Sequence, residues 1–264
     1  YAACCEGHSE CTQLLIAARA TIDLSDSNGI TPLYTACRQG HRDCTQLLLT
    51  AHATIDQPAN NGSTPLHVAC YQGNSECMQL LITARATTDQ PDNNGTTPLF
   101  VACGQGHSEC MQLLLAARAT IDLSDINGTT PLHAACDQGH SECAQLLITA
   151  RATIDQPDSG GITPLYTACI KGHGECAQLL ITARAAIDLP ANNGTTPLYS
   201  ACCEGHSNCT QLLITARATI DQPSNDGVTP LCAACRQGHS ECTQLLITAR
   251  AAIDQPDSGG GTPL

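Results

Sequence analysis

The sequence predicts an all-α repeat protein, a solenoid of stacked helix–turn–helix units. Two observations support this fold class. The tripeptide Thr-Pro-Leu begins at eight positions, each 33 residues after the last, from Thr31 to Thr262. A fixed period of this size is typical of repeat architectures. Each period also contains two short segments with apolar residues at helical spacing, separated by a Gly-His or Gly-Asn pair.

The first helix of each repeat is predicted from its ends, which are clear in residues 26–58. Thr31 can cap a helix, and Pro32 fits the first helical position because no N–H is needed there. Gly40 follows the apolar segment and can end the helix in the left-handed conformation. The Thr-Pro-Leu tripeptide therefore marks the start of a helix of about two turns.

The second helix is predicted from a single apolar stripe. Cys44, Leu47, Leu48 and Ala51 lie at spacings i, i+3, i+4 and i+7. Pro58, in the stretch "ATIDQPANNG", cannot continue the helix. Neither helix is long enough to be stable alone in water, so each must bury its stripe against the neighbouring repeats. The sequence recurs because every layer needs a neighbour of the same shape.

The period divides the chain into repeats that form one domain over 1–264. We expect this domain to be a fragment of a longer array, because Tyr1 and Leu264 both fall within a repeat. The full repeats are 26–58, 59–91, 92–124, 125–157, 158–190, 191–223 and 224–256, with partial repeats at 1–25 and 257–264.

Composition limits the classes of function. The net charge of −13 disfavours binding to nucleic acid, which needs clustered Lys and Arg, and favours a neutral or basic protein partner. No apolar run approaches the roughly 18 residues of a membrane helix, so direct membrane insertion is not expected. Sixteen of the 19 cysteines recur at two apolar positions of the repeat, where a thiol serves as a small buried hydrophobe. This favours a reducing, intracellular and cytoplasmic location.

The sequence predicts neither catalysis nor a bound cofactor or metal. A catalytic site needs unlike groups that converge, whereas the array offers the same groups repeatedly, without a phosphate-binding loop or a metalloprotease motif. The cysteine spacing is Cys-x6-Cys rather than Cys-x2-Cys. Thiols of neighbouring layers are expected to be too far apart to be bridged. The histidines of the Gly-His pairs, such as His41 and His107, are expected to hydrogen-bond in the loop between the helices.

One position near the end of the first helix varies widely in chemistry while most others are nearly constant. Close-packed interiors do not tolerate such variation, so we expect this position to face solvent. We call it the variable position; its eight residues are Cys5, Arg38, Tyr71, Gly104, Asp137, Ile170, Cys203 and Arg236. Candidate partner-binding residues at this position, the position after it and one hairpin tip are Arg38, Tyr71, Gln72, Asp137, Ile170, Arg236 and Ile126. Neutral drift on an unconstrained surface is the alternative.

The repeat resembles the ankyrin repeat, on the motifs "TPLH.A" (Thr64 to Ala69), "GH.E", "LL" and "NG.TPL". The resemblance covers the whole chain. It implies a curved stack of helix pairs with β-hairpin loops on one side and a concave face that binds proteins. In place of the family's usual glycine after the second helix, the chain has Arg19, His52, Arg85, Arg118, Arg151, Arg184, Arg217 and Arg250.

The non-glycine residues at that position are expected to make the second helices end differently. A left-handed cap would cost each of them up to about 1 kcal/mol. Arg19 and Asp23 lie four residues apart across such an end, and we expect each pair of this kind to offset repulsion along the row of aspartates.

Three functions remain open. The first is a non-catalytic, monomeric scaffold that binds a protein through the concave face and the hairpin tips. The second is a passive structural spacer or elastic array, whose copies reflect duplication alone. The third is a targeting module of a larger multidomain protein, such as an enzyme or an adaptor.

Overall fold

The computed structural model describes all residues, 1–264, and contains sixteen α-helices arranged as pairs. The chain divides into two compact units, Tyr1–Ile126 and Asn127–Leu264. The first helices of the pairs are α1 (Ala2–Cys5), α3 (Pro32–Gln39), α5 (Pro65–Gln72), α7 (Pro98–Gln105), α9 (Pro131–Gln138), α11 (Pro164–Ile170), α13 (Pro197–Cys203) and α15 (Pro230–Gln237). The second helices are α2 (Ser9–Ala17), α4 (Arg42–Thr50), α6 (Ser75–Thr83), α8 (Ser108–Ala116), α10 (Ser141–Thr149), α12 (Gly174–Thr182), α14 (Ser207–Thr215) and α16 (Ser240–Thr248).

The predicted start of the first helix is confirmed. In α3 the Thr31 side chain accepts a hydrogen bond from the Tyr34 N–H at 3.1 Å, and Pro32 occupies the first turn. In α5 the Thr64 N–H also donates to Nδ1 of His67 at 3.1 Å, which completes a reciprocal cap. Nε2 of His67 donates to the Thr96 carbonyl, so the neutral ring uses both nitrogens, and its burial lowers the pKa of His67.

The second helices do not end differently, contrary to the sequence-based expectation. In α6 the N–H of Arg85 donates to the Ile82 carbonyl at 3.0 Å and the N–H of Ala86 donates to the Leu81 carbonyl at 2.9 Å. These two bonds form a Schellman cap, which requires the left-handed conformation that Arg85 adopts, at φ 68°. The eight non-glycine residues at this position all have φ between 59° and 69°, because two backbone bonds compensate for the steric cost.

The loops between repeats turn as hairpins but contain no strand. At one tip the N–H of Ala59 donates to the Ser63 carbonyl and that of Gly62 donates to the Ala59 carbonyl, both at 2.9 Å. Each side of the hairpin contributes only one residue to this pairing, Ala59 on one side and Ser63 on the other, and one residue is too short for a strand. Successive tips are joined by a bond such as that from the Asn60 N–H to the Asn28 carbonyl.

Leucine provides most of the core volume in each unit. Leu33, Leu66 and Leu99 of the first helices are inaccessible to solvent in the first unit. Their counterparts in the second unit, such as Leu165 and Leu198, are equally buried. None of the helices has the length and apolar character needed to cross a bilayer.

The sixteen cysteines at the two apolar positions of the repeat form two ladders, which pack in this core with two exceptions. Cys11 is exposed and Cys235 is half-buried, whereas the other fourteen cysteines of the ladders are buried. Cys11 lies on α2, in the first helix pair. Thr45 connects thiols of neighbouring repeats: its Oγ1 lies 3.8 Å from Sγ of Cys37 and donates to Sγ of Cys77 at 3.5 Å. No disulfide bond joins any of the nineteen cysteines.

Candidate functional site

The variable position lies at the last turn of the first helix, and its backbone is fixed by the following repeat. Nε2 of His41 donates to the Cys5 carbonyl at 3.0 Å, and Nε2 of His107 donates to the Tyr71 carbonyl at 3.2 Å. In the second unit His173, His206 and His239 bind the carbonyls of Asp137, Ile170 and Cys203 at 3.0, 3.1 and 3.0 Å. The predicted loop role of these histidines is therefore confirmed.

Asn74 shows why one repeat can do without histidine. Its side-chain amide donates to the carbonyls of Cys37 and Arg38, at 2.8 and 3.1 Å. The carbonyl of the variable position is thus held whether the next repeat supplies an imidazole or an amide. Because the bond involves only the backbone of the variable position, the side chain there can change without loss of the contact.

In the first unit the variable side chains differ in their exposure. Tyr71 is 53% exposed and Gln72 beside it is exposed, whereas Arg38 is half-buried. The Arg38 side chain lies near the phenol of Tyr34, whose pKa is raised by burial and lowered to a smaller extent by a hydrogen bond to Ser63 and by the Arg38 charge. Tyr71 is therefore the large aromatic group that this row presents to solvent in the first unit.

Ile126 belongs to a different element of the same unit. It lies at a hairpin tip, is 72% exposed, and its N–H donates to the Asn94 carbonyl of the preceding tip at 3.0 Å. No hydrogen bond or ion pair joins it to Tyr71 or Arg38. The structure thus brings together the candidates on α3 and α5, and places Ile126 apart from them on the loops.

In the second unit Asp137 is already engaged within the protein. Its carboxylate forms an ion pair with Nζ of Lys171 at 3.2 Å and accepts a hydrogen bond from Nε2 of Gln138 at 2.7 Å. Ile170, on the next first helix, is half-buried. A partner that recognised Asp137 would compete with two existing contacts.

Arg236 is also paired. Its guanidinium binds the carboxylate of Asp257, which accepts two further bonds from the N–H groups of Gly259 and Gly261, both at 2.8 Å. The bond from Gly261, followed by that from Arg236, holds the pKa of Asp257 below its usual range. The long side chain of Arg236 thereby links the variable position to the following hairpin tip.

Sequence reasoning misassigned the aspartates near the end of each repeat. No ion pair joins Arg19 to Asp23. The Asp23 carboxylate instead accepts bonds from the N–H and Oγ1 of Thr54, at 3.0 and 2.7 Å. Asp56 binds Thr87 in the same way. The signal was present, because a threonine follows five of these aspartates after 31 residues, which places the pair in adjacent repeats; Asp155 and Asp221 have an alanine there and bind only its N–H.

Comparison with known proteins agrees with this architecture. A model of consecutive ankyrin repeats matches residues 1–92, 82–158 and 152–224, and a model of the single ankyrin repeat matches residues 226–258. The crystal structure of the human ASB11 ankyrin repeat domain is similar, with a TM-score of 0.77 and 28% sequence identity over 84% of this chain and 99% of that domain. No curated protein matches the chain.

Proposed function

The chain belongs to the ankyrin repeat family, whose domains are generally protein–protein interaction modules, and we propose that it is a non-catalytic scaffold for a protein partner. The binding surface is the face formed by the ends of the first helices and the hairpin tips. The observation that carries the proposal is the variable position. Its backbone is held in successive repeats by the same kind of bond, while its side chain ranges from glycine to tyrosine.

Tyr71 is the proposed centre of binding in the first unit. Tyrosine and arginine are enriched among the residues that dominate binding energies, and Tyr71 is exposed beside Arg38 and Gln72. Asp137 and Arg236 are engaged in internal ion pairs, so they contribute less in this proposal than their charges alone suggest. Ile126 and Ile170 provide apolar contacts.

The net charge of the chain favours a class of partner, and its cysteines favour a cellular compartment for this proposal. A net charge of −13 favours a neutral or basic protein surface over nucleic acid. Nineteen cysteines without a disulfide bond suit a reducing cytoplasm. In this proposal the array acts as a monomer, without a cofactor and without insertion into a membrane.

The test begins by identifying the partner through a photoreactive side chain placed at Tyr71, with Gln112 on α8 as the control site. The affinity of the purified partner is then measured for Tyr71→Ala. We expect binding to weaken by roughly 1–2 kcal/mol. Folding should be unchanged, because Gly104 occupies the same position in the next repeat.

The same measurement separates the scaffold from a passive spacer. The Asp–Thr and His–carbonyl bonds recur along the array, and duplication alone would produce this recurrence. The passive spacer is therefore the second candidate. If Tyr71→Ala, Arg38→Ala and Asp137→Ala all bind the partner as well as the wild type does, this face is not the binding surface. If the array is a targeting module, the larger protein that contains it should bind the same partner as the array alone does.

A further inference from the structure

A groove crosses the second helices of the second unit, on elements that the proposed binding face does not use. It has a volume of about 580 Å³ and extends over α10, α12 and α14. Leu179 and Leu212 contribute its apolar lining, and Glu142 and Glu175 lie at its acidic side. The groove coincides with a local departure from the repeat pattern.

The departure affects the first two residues of two consecutive second helices. Most second helices begin with Ser-Glu, but α12 begins with Gly174-Glu175 and α14 with Ser207-Asn208. The two changes are coupled in space, because a Cβ atom at position 174 would collide with the side-chain amide nitrogen of Asn208. Gly174 therefore both widens the groove and makes room for Asn208.

The first unit provides an internal comparison. Its equivalent groove, over α4, α6 and α8, has a volume of about 270 Å³. Arg42 occupies the place of Ser141 and Ser75 that of Gly174. Arg42 brings a positive charge to that groove, whereas no Lys, Arg or His lines the groove of the second unit.

The acidic side of the larger groove is positioned by a hydrogen bond between repeats. Oγ of Ser141 donates to Oε2 of Glu175 at 2.8 Å. This bond leaves the second carboxylate oxygen of Glu175 and the whole carboxylate of Glu142 available to a cation. Two carboxylates beside leucine side chains suit a basic side chain whose aliphatic stem packs on the leucines.

We propose that this groove binds a peptide segment in which a lysine or arginine is flanked by aliphatic residues. The cation lies between Glu142 and Glu175, and the aliphatic residues contact Leu179 and Leu212. Charge complementarity selects this occupant, since an acidic segment would meet two like charges in a protein that already carries −13. This is a second binding surface, independent of Tyr71.

The test selects peptides from a displayed random library on the full chain. The counter-selection uses the double variant Ser141→Arg, Gly174→Ser, which gives the second unit the residues that the first unit has at Arg42 and Ser75. Both residues occur at these positions in the first unit, and the exposed Asn208 side chain must rotate away from the new Cβ at position 174; circular dichroism and thermal unfolding check that the fold is retained. We expect the peptides that survive to be rich in Lys or Arg beside Leu, Ile or Met, and to bind the double variant at least about tenfold more weakly.

Three further outcomes are decisive. Glu142→Gln with Glu175→Gln should weaken the same peptides by roughly fivefold, and this loss should shrink at high salt. Tyr71→Ala should leave their affinity unchanged, which separates this site from the face proposed above. The proposal is overturned if no peptide is enriched, if the enriched peptides lack basic residues, or if they bind the double variant as tightly as the wild type.

Discussion

The hydroxyl of Thr35 is fully buried in α3 and has no hydrogen-bond partner. A buried polar group without a partner is destabilising, because it loses its bonds to water and gains none. The next two repeats place Val68 and Val101 at the same position, so a β-branched apolar side chain fits there. Thr167, at the same position in the second unit, donates to the Thr163 carbonyl at 3.2 Å.

This difference gives a prediction with an internal control. We expect Thr35→Val to raise the free energy of unfolding by about 1 kcal/mol, because it removes an unsatisfied hydroxyl at nearly constant volume. Thr167→Val should not raise it, since that change removes a satisfied bond. Urea unfolding followed by circular dichroism measures both variants. An equal gain in the two would mean that apolar burial, and not the missing bond, sets the effect.

At the scale of the elements, a side chain that precedes the second helix binds the end of the first helix in the preceding repeat. His107 precedes α8 and binds the carbonyl of Tyr71 at the end of α5. Asn74 makes the equivalent contact one repeat earlier. We therefore expect His107→Asn to retain stability, whereas His107→Ala should lower the free energy of unfolding by about 1 kcal/mol through loss of the bond.

The measurement is urea unfolding of both variants, combined with hydrogen exchange at the last turn of α5. Exchange there should accelerate in His107→Ala and remain near the wild-type rate in His107→Asn. Loss of stability in both variants would show that the imidazole ring acts through its packing and not through its hydrogen bond.

The elements themselves were predictable because their signals are local. Thr31 and Pro32 mark a helix start through contacts within four residues, and Gly40 marks its end. The Arg85 cap was mispredicted because propensity favours glycine, while the two backbone bonds that determine the result are visible only in the folded chain. The Asp23–Thr54 and Thr45–Cys77 bonds join residues 31 and 32 positions apart, so they depend on how the repeats stack.

The candidate site was predictable as a row of positions but not in its charge pairing. Variation among the repeats located the variable position, since packed positions stay constant. Variation among the repeats could not show that Asp137 pairs with Lys171, or Arg236 with Asp257, because each pair occurs at one place in the array. The groove at Gly174 was missed for the same reason, as its residues look like isolated departures until α12 and α14 are placed side by side.

At the scale of the whole molecule, stability in a repeat array is a sum of unit terms and contacts between neighbours. The first helix pair of the first unit buries little: Leu14 is 71% exposed, Leu15 is 49% exposed, and Cys11 is exposed. In the second pair Leu48, at the position of Leu15, is only 2% exposed. In the 264-residue chain the first pair therefore has less apolar contact to hold it in place.

We expect native-state hydrogen exchange of this 264-residue chain to reflect the difference. Amides of α2 should exchange at least about tenfold faster than the equivalent amides of α4 and α6, because fewer buried contacts must be broken to open α2. Mass spectrometry of peptides from each helix measures this directly. Equal protection of α2 and α6 would contradict the prediction.

The bond from His107 to the Tyr71 carbonyl has a consequence for how such an array can grow or shrink. Its partners are 36 residues apart in a chain whose period is 33, so excision of residues 59–91 brings His107 opposite the carbonyl of Arg38. The same excision brings Thr120 opposite Asp56, with donors and acceptors of the same kinds as before. Unequal recombination between copies of the gene therefore yields a longer or shorter array whose junction is already a native one, and it reorders the exposed side chains in the same event.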